Sequence, residues 1–265
     1  MNETNLTIII PTLNSYKIIG KLIISLKNQK YKKWKVIFVD GNSISAHKKY
    51  LKNICFKDKR FNYVDQEKNS KGIYKAMSYG MKIADPNDWI IFMGSDDYFS
   101  NDLSLSKLLD ELKQKNRKKN YFDVLFCRCR YIKNGKRGRL SSFSEFSSSK
   151  IYTNIQIRNN LFWGSSPPHQ GTVIGPRARI ANKKFSDKYK LAADLDFLLE
   201  LTKNTKIRFK SSNIELSILD SNGVSNKETF NRIYEVIRVY LKAYNLLFLI
   251  PLFSRYLRRI LSKFQ

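Results

Sequence analysis

The chain has 265 residues, 42% of them apolar and 27% charged, which excludes a disordered chain and allows one domain with a sizeable buried core. Its 11 Gly and 6 Pro exclude collagen-like and linker-dominated designs. Lys and Arg number 49 against 22 Asp and Glu, a net charge of +27 that predicts attraction to a polyanion: nucleic acid, an anionic membrane or a phosphorylated substrate.

The first half alternates strands and helices. Leu6–Ile10 is a continuous apolar, β-branched run, expected as a buried parallel strand stopped by Pro11. Residues 15–29 place Ile18, Ile19, Leu22, Ile23 and Leu26 at helical spacing. Trp34–Val39 reads as a second buried strand, followed by a weaker helix over 45–55 and a short strand, Arg60–Val64. Gly72–Ile83 is expected to be helical, Trp89–Met93 a strand, and about 102–117 a helix. Strand and helix alternating at this spacing predict an open, mostly parallel sheet with helices on both faces.

The second half is less regular. Phe122–Ile132 reads as a strand, the Ser/Lys-rich stretch 133–150 as a loop or hairpin, and 151–162 as a short helix. Gly171–Ile174, Ile207–Phe209 and Ile214–Leu219 are expected strands, with a helix at Ala193–Lys203. Residues 226–264 are expected to be helical with a break at Pro251. The longest uninterrupted apolar run, Leu246 to Phe253, is short for a bilayer span. No basic segment precedes the first strand, so no signal peptide is expected. Cys55, Cys127 and Cys129 form no metal-ligand pattern and favour core packing in a reducing compartment. The organisation is one structural unit: a domain over 1–225 and a helical tail over 226–265.

In open α/β sheets ligands bind beyond the carboxyl ends of the strands. Three strands end in polar loops, Pro11-Thr12-Leu13-Asn14, Asp40-Gly41-Asn42-Ser43 and Ser95-Asp96-Asp97, which converge on one edge. Adjacent carboxylates at a strand end can divide labour, one chelating a hard divalent cation and the other accepting from a hydroxyl or water. Asp40 has two readings, an Asx-turn or a carboxylate accepting from a base N–H. Asp194 and Asp196, at a helix start, are either N-terminal caps or a general base on a rigid element. His169, between Pro168 and Gln170, is a donor to substrate, an extra metal ligand or an ordinary loop residue; His47, in a Lys-rich helix, receives no role.

These segments, in this order, resemble the inverting glycosyltransferases of family 2, whose fold is the nucleotide-sugar-binding GT-A type. The likeness runs from Thr7–Asn14 through Ser25–Gln29, Val39–Ser43, Lys71–Met77 and Trp89–Asp97. It continues in His169-Gln170, Ala192–Asp196 and Asn222–Ser225. The resemblance implies that Pro11, Thr12, Asn14 and Asp40 line the pocket for the nucleotide base. Asp96 would contact ribose or donor sugar, and Asp97 would bind Mn²⁺ or Mg²⁺ at the diphosphate. Asp194 would be the base, with His169 and Asp196 as acceptor or diphosphate contacts. Where the family usually has Asp before the Lys-Gly-Ile-Tyr element the chain has Ser70, with Glu67 nearby. It has Lys75-Ala76-Met77-Ser78 for Asp-Ala-Met-Asn, and Ile44-Ser45 where Thr-Asp is common. The first two departures bear on donor-sugar identity. The Gln-x-x-Arg-Trp motif of processive synthases is not found, which implies one sugar added at a time.

The implied activity is hexose transfer from a UDP-sugar, UDP-glucose or UDP-galactose, to a GlcNAc-diphosphate-undecaprenyl-type lipid in O-antigen or capsule synthesis. The product would be β-linked. The amphipathic, basic stretch 246–264 suggests a peripheral anchor on an anionic membrane, the cytoplasmic face of a bacterial inner membrane. Two rival readings are a nucleic-acid-binding protein, for which the sequence has no motif, and a sugar nucleotidyltransferase, which would carry a Gly-rich loop after the first strand.

Overall fold

The computed structural model describes residues 5–68, 70–113, 121–133, 136–141, 150–220 and 228–261. The expected Asn222–Ser225 element, residues 114–117 of the expected 102–117 helix, residues 134–135 and 142–149 of the 133–150 stretch, and Lys263 and Phe264 lie outside these residues.

The first half is built on four parallel strands: β1 (Leu6–Thr12), β2 (Trp34–Asp40), β3 (Phe61–Asp65) and β4 (Trp89–Phe92), in the order β3-β2-β1-β4. Their apolar runs are buried on both sides, as central parallel strands require. Alternate side chains of β1 feed two cores. Leu6, Ile8 and Ile10 meet α1 (Gly20–Asn28), α2 (Ser45–Lys57) and α4 (Ser104–Lys113) on one face. Ile9 meets α3 (Ile73–Ile83) on the other. Helices therefore cover both faces.

A two-residue strand, β5 (Tyr98–Phe99), and the long β6 (Val124–Lys133) continue the sheet. β6 forms an antiparallel hairpin with β7 (Lys136–Ser141), one of the two alternatives for this stretch. β8 (Ile151–Tyr152) precedes α5 (Asn154–Phe162), whose first turn is closed by a reciprocal capping box between Thr153 and Gln156, a device that contributes about 1 kcal/mol. β9 (Thr172–Ile174) runs antiparallel between β4 and β6, so the second half of the sheet is mixed.

Two strands expected at Ile207–Phe209 and Ile214–Leu219 are one, β10 (Phe209–Asp220). The polar Ser211–Asn213 stretch that separates them in the sequence sits at a shift of register against β6. Helices α6 (Pro176–Ala181) and α7 (Ala193–Leu201) pack on the α3 face.

The tail helices are α8 (Thr229–Tyr244) and α9 (Leu249–Leu261), joined by one 3₁₀ turn, Asn245–Phe248. The break falls at Asn245, which adopts φ +51°, rather than at Pro251. Pro251 lies in the first turn of α9, where a missing N–H costs nothing. Val236, Val239 and Tyr240 of α8 are buried in the α3-face core, so this helix is part of the domain's packing.

Candidate active site

The parallel strands bring their polar ends together. Thr12 and Asp40 are register partners, and Gly41 N donates to Thr12 O at 2.8 Å. Ser95 Oγ, beyond β4, donates to Pro11 O at 3.2 Å. The three loops thus form one continuous rim.

On the β1–β2 side of this rim, Asn14 ties two loops together. Its backbone N–H donates to Ser43 Oγ at 2.8 Å, and its Oδ1 accepts from Ile44 N at 2.9 Å. Asn14 and Asn42 both have positive φ, which Asn tolerates better than most residues.

Asp40 is fully buried. Its Oδ1 accepts from Ser43 Oγ at 2.5 Å and Thr12 Oγ1 at 3.2 Å; its Oδ2 accepts from Ser43 N at 2.9 Å and Tyr63 Oη at 3.1 Å. The expectation that Asp40 offers a free acceptor to a base is therefore corrected. With both oxygens engaged and no surface exposed, the carboxylate ties the loop after β2 to Thr12 and Tyr63 from within. His47, to which the sequence reading gives no role, lies beneath it, fully buried with Nε2 3.3 Å from Asp40 Oδ1. Burial lowers its pKa, opposed by the Asp40 charge. The spacing of His47, Leu51 and Ile54 on the buried side of α2 was the available signal.

Beyond β4 the chain turns through Gly94. A Cβ there would lie 2.7 Å from Asp97 Oδ2 and 2.8 Å from Asp96 Oδ1, so the close approach of both carboxylates requires glycine. Asp97 is 3% exposed; its Oδ2 accepts from Gly94 N at 3.0 Å and from Gln170 Nε2 at 2.9 Å. Burial, and then the charge of Asp96, push the Asp97 carboxyl up to about 6, against Gln170, His169 and the Gly94 N–H. Asp96 is half-buried and also raised, chiefly by burial.

A 3₁₀ turn, His169–Gly171, connects this pair to the third carboxylate. Gln170 holds Asp97, and the preceding His169 places Nδ1 3.9 Å from Asp194 Oδ2. Asp194 is the second residue of α7, and its Oδ1 accepts from Leu195 N at 2.8 Å. Burial opposes its charge, but His169, the Leu195 N–H and the more distant Arg255 outweigh it and hold the carboxyl below the ordinary range. An ionised carboxylate so placed is able to take a proton at neutral pH.

The tail fixes the approach to Asp194. Glu235 of α8 accepts the backbone N–H groups of Lys190, Leu191 and Ala192 at 2.7–3.0 Å, immediately before α7. Asp196 is corrected as a substrate contact: it is 4% exposed and its Oδ1 pairs with Lys242 Nζ of α8 at 2.7 Å. The two-residue step from Asp194 turns Asp196 about 200° round the helix, away from the rim.

Among the described residues no three His, Cys, Asp or Glu side chains form a complete cation cage. Asp97 still fits a hard cation, because its Oδ1 has no hydrogen-bond partner among the described residues while Oδ2 is held from two sides. Mg²⁺-type ions are commonly bound by one or two carboxylates, with substrate phosphates and water supplying the other ligands.

Residues 7–177 match Glycosyl transferase family 2. A glycosyltransferase of Haemophilus influenzae is 31% identical over 127 residues, 48% of this chain and 50% of that protein. The GalNAc(5)-diNAcBac-PP-undecaprenol beta-1,3-glucosyltransferase of Campylobacter jejuni is 25% identical over 184 residues, 69% of this chain and 55% of that one. The chain thus spans about half the length of these curated relatives. Residues 1–349 of S. aureus TarS in complex with UDP-GlcNAc superpose with a TM-score of 0.70 at 21% identity, covering 91% of this chain and 68% of that one. The mannosyltransferase PcManGT of Pyrobaculum calidifontis, in complex with GDP-Man and Mn²⁺, gives 0.66 at 12%, covering 96% and 70%. These solved structures share the fold, and the family match runs from β1 through the Asp97 and His169 turns into α6. The chain belongs to glycosyl transferase family 2.

Proposed function

We propose that the chain is a non-processive inverting glycosyltransferase that moves a hexose from a UDP-sugar to a saccharide carried on a lipid diphosphate. The observation that carries this reading is the 169–171 turn, which serves two carboxylate stations with consecutive side chains, Gln170 on Asp97 and His169 on Asp194. One station suits a diphosphate and its cation; the other suits the hydroxyl that attacks.

In this reading the loops at Pro11, Thr12 and Asn14 hold the nucleotide base, with Asp40 and His47 bracing them from below. Asp96 meets ribose or donor sugar. Asp97 holds Mn²⁺ or Mg²⁺, which when bound neutralises charge on the departing diphosphate. Asp194 takes the proton of the acceptor hydroxyl. That oxygen then bonds to the anomeric carbon as the bond to the UDP oxygen breaks, through an oxocarbenium-like state. Attack opposite the leaving group turns an α-linked donor into a β-linked product. The UDP-GlcNAc bound by TarS and the undecaprenol-linked substrate in the name of the C. jejuni relative support the donor and acceptor classes. UDP-glucose or UDP-galactose is the donor proposed, with O-antigen or capsule synthesis as the setting.

The proposed location is the cytoplasmic face of a bacterial inner membrane, peripherally bound. Exposed Leu246, Ile250, Phe253, Leu257, Ile260 and Leu261 recur at helical spacing along the 3₁₀ turn and α9. Although Thr229–Arg258 is long and apolar enough to span a bilayer by length and composition, α8 buries Val236, Val239 and Tyr240 in the protein, which favours interfacial contact. The test is UDP-sugar hydrolysis and transfer over a donor panel, with and without Mn²⁺, on a short-chain lipid-diphosphate acceptor. Activity that is indifferent to donor, or unchanged in EDTA, would reject the nucleotide-sugar or the metal assignment respectively.

A further inference from the structure

Helix α9 carries Arg255, whose charge acts on Asp194. Gly164 has φ +77°, and a Cβ there would lie 2.5 Å from Arg255 N, so α9 crosses the turn after α5 in backbone contact. Ser254 Oγ donates to Trp163 O at 2.8 Å and fixes the same crossing. Phe253 and Leu257, two residues to either side of Arg255, are exposed, whereas Arg255 Nε is shielded and has no hydrogen-bond partner. The helix is thus turned with its apolar row outward and Arg255 inward.

Arg255 meets no carboxylate at salt-bridge distance among the described residues. Burial works against its charge, while the Tyr240 hydroxyl and the charge of Asp194 support it. A guanidinium offers five N–H donors in a planar fork that matches phosphate oxygens, and shielding it without a close anion is costly. The remaining donors, on a cation whose charge is felt by Asp194, fit an anionic group arriving with substrate.

We propose that Arg255 is a diphosphate-binding residue, delivered by the tail helix to the edge of the Asp194 site. The proposal rests on the glycosyl-transfer reading above and deepens it, because both substrates in that reading carry a diphosphate. The UDP of the donor and the lipid diphosphate of the acceptor share this chemistry. A lipid-linked diphosphate has a direct route, since the same helix presents Phe253 and Leu257 to the surface in which a prenyl chain would lie.

The experiment measures binding of UDP with Mn²⁺ and, separately, of farnesyl diphosphate by calorimetry, on the full chain and its Arg255→Met and Arg255→Lys variants. Losing a charge-assisted hydrogen bond predicts about 10- to 100-fold weaker binding for Arg255→Met. Arg255→Lys, which keeps the charge and loses the fork, should fall between. Loss in the UDP arm assigns the donor diphosphate, and loss in the farnesyl arm assigns the acceptor. Unchanged affinity in both arms, with the wild type binding normally, overturns the inference alone. Equal losses for Met and Lys with a matching fall in melting temperature also overturn it, since that is the behaviour of a packing residue. A wild type that binds neither ligand defeats the underlying functional reading and the inference with it.

Discussion

Gln170 Nε2 donates a 2.9 Å hydrogen bond to Asp97 Oδ2, the oxygen that also accepts from Gly94 N. The bond crosses from β4 to the turn before β9 and leaves the other Asp97 oxygen uncommitted. A carboxylate aimed in this way suits the proposed cation, although burial raises its pKa.

Asp97→Ala should therefore abolish transfer while leaving the melting temperature near wild type. Gln170→Leu should keep activity and raise the Mn²⁺ concentration for half-maximal rate by about 10- to 100-fold, the range for residues that orient a metal ligand. Titrating Mn²⁺ against turnover checks both. Full turnover of Asp97→Ala, or of the wild type in EDTA, would remove the metal from this position.

Asp194 and Asp196, two residues apart, should separate cleanly. Asp194→Asn keeps shape but cannot take a proton, and turnover should fall by about two to four orders of magnitude with UDP affinity little changed. Because the Asp194 carboxyl lies below its ordinary range, the proposed base stays ionised as pH falls through that range. Its loss of activity on acidification should thus begin below the ordinary carboxylate pKa. Asp196→Asn should instead lower stability, by about 1–2 kcal/mol given that Lys242 is partly solvated, and leave turnover close to wild type. The reverse pattern would exchange their roles.

The buried Asp40–His47 contact predicts a pH effect on stability. His47 is buried, and its folded-state pKa is below the ordinary 6.5, with burial the main cause. Asp40 Oδ1 faces it at 3.3 Å and the Tyr16 ring at 6.3 Å. The unfolded chain binds a proton here more readily than the folded one. Stability should therefore be full above the unfolded value and fall as pH drops below it. His47→Gln should flatten that dependence in melting curves between pH 7 and 5, and Asp40→Ala should weaken UDP binding through the loosened loop. A melting curve whose pH dependence is the same in His47→Gln and wild type would release His47 from this role.

The strands that carry the site were legible because burial on both faces forces continuous apolar runs: Leu6–Ile10, Trp34–Val39 and Trp89–Met93 have no other easy reading. Their polar ends follow from the topology of a parallel sheet. What the sequence hides is set by tertiary contact. β5 has two residues and exists because Tyr98 and Phe99 meet β10. α6 is a six-residue helix that starts at Pro176 itself, capped by Gly175. The inward turn of Asp40 depends on Tyr63 arriving from β3, and that of Asp196 on Lys242 arriving from α8. Arg255 looks like one more basic residue of an amphipathic tail until Gly164 is seen against its backbone.

The exposed face of α9 gives the last prediction. Phe253 is 71% exposed and Leu257 42%, at i and i+4 on one side of the helix, so replacing both removes no core contact of comparable size. Each of these side chains, if moved from water into an acyl layer, contributes about 1.5–3 kcal/mol at most, less in proportion to the area already covered. Basic residues near an anionic leaflet add about 1 kcal/mol each, which the chain's charge of +27 favours broadly. Phe253→Ser with Leu257→Ser should then leave the melting temperature unchanged. It should move the protein from vesicle pellet to supernatant in sedimentation with anionic vesicles, and reduce transfer to a lipid-linked acceptor more than UDP-sugar hydrolysis. High salt should weaken the charge contribution and leave the apolar one, so wild-type binding should fall without vanishing. If the wild type already stays in the supernatant at low salt, α9 is not a membrane contact, and its apolar row must be covered by another protein surface.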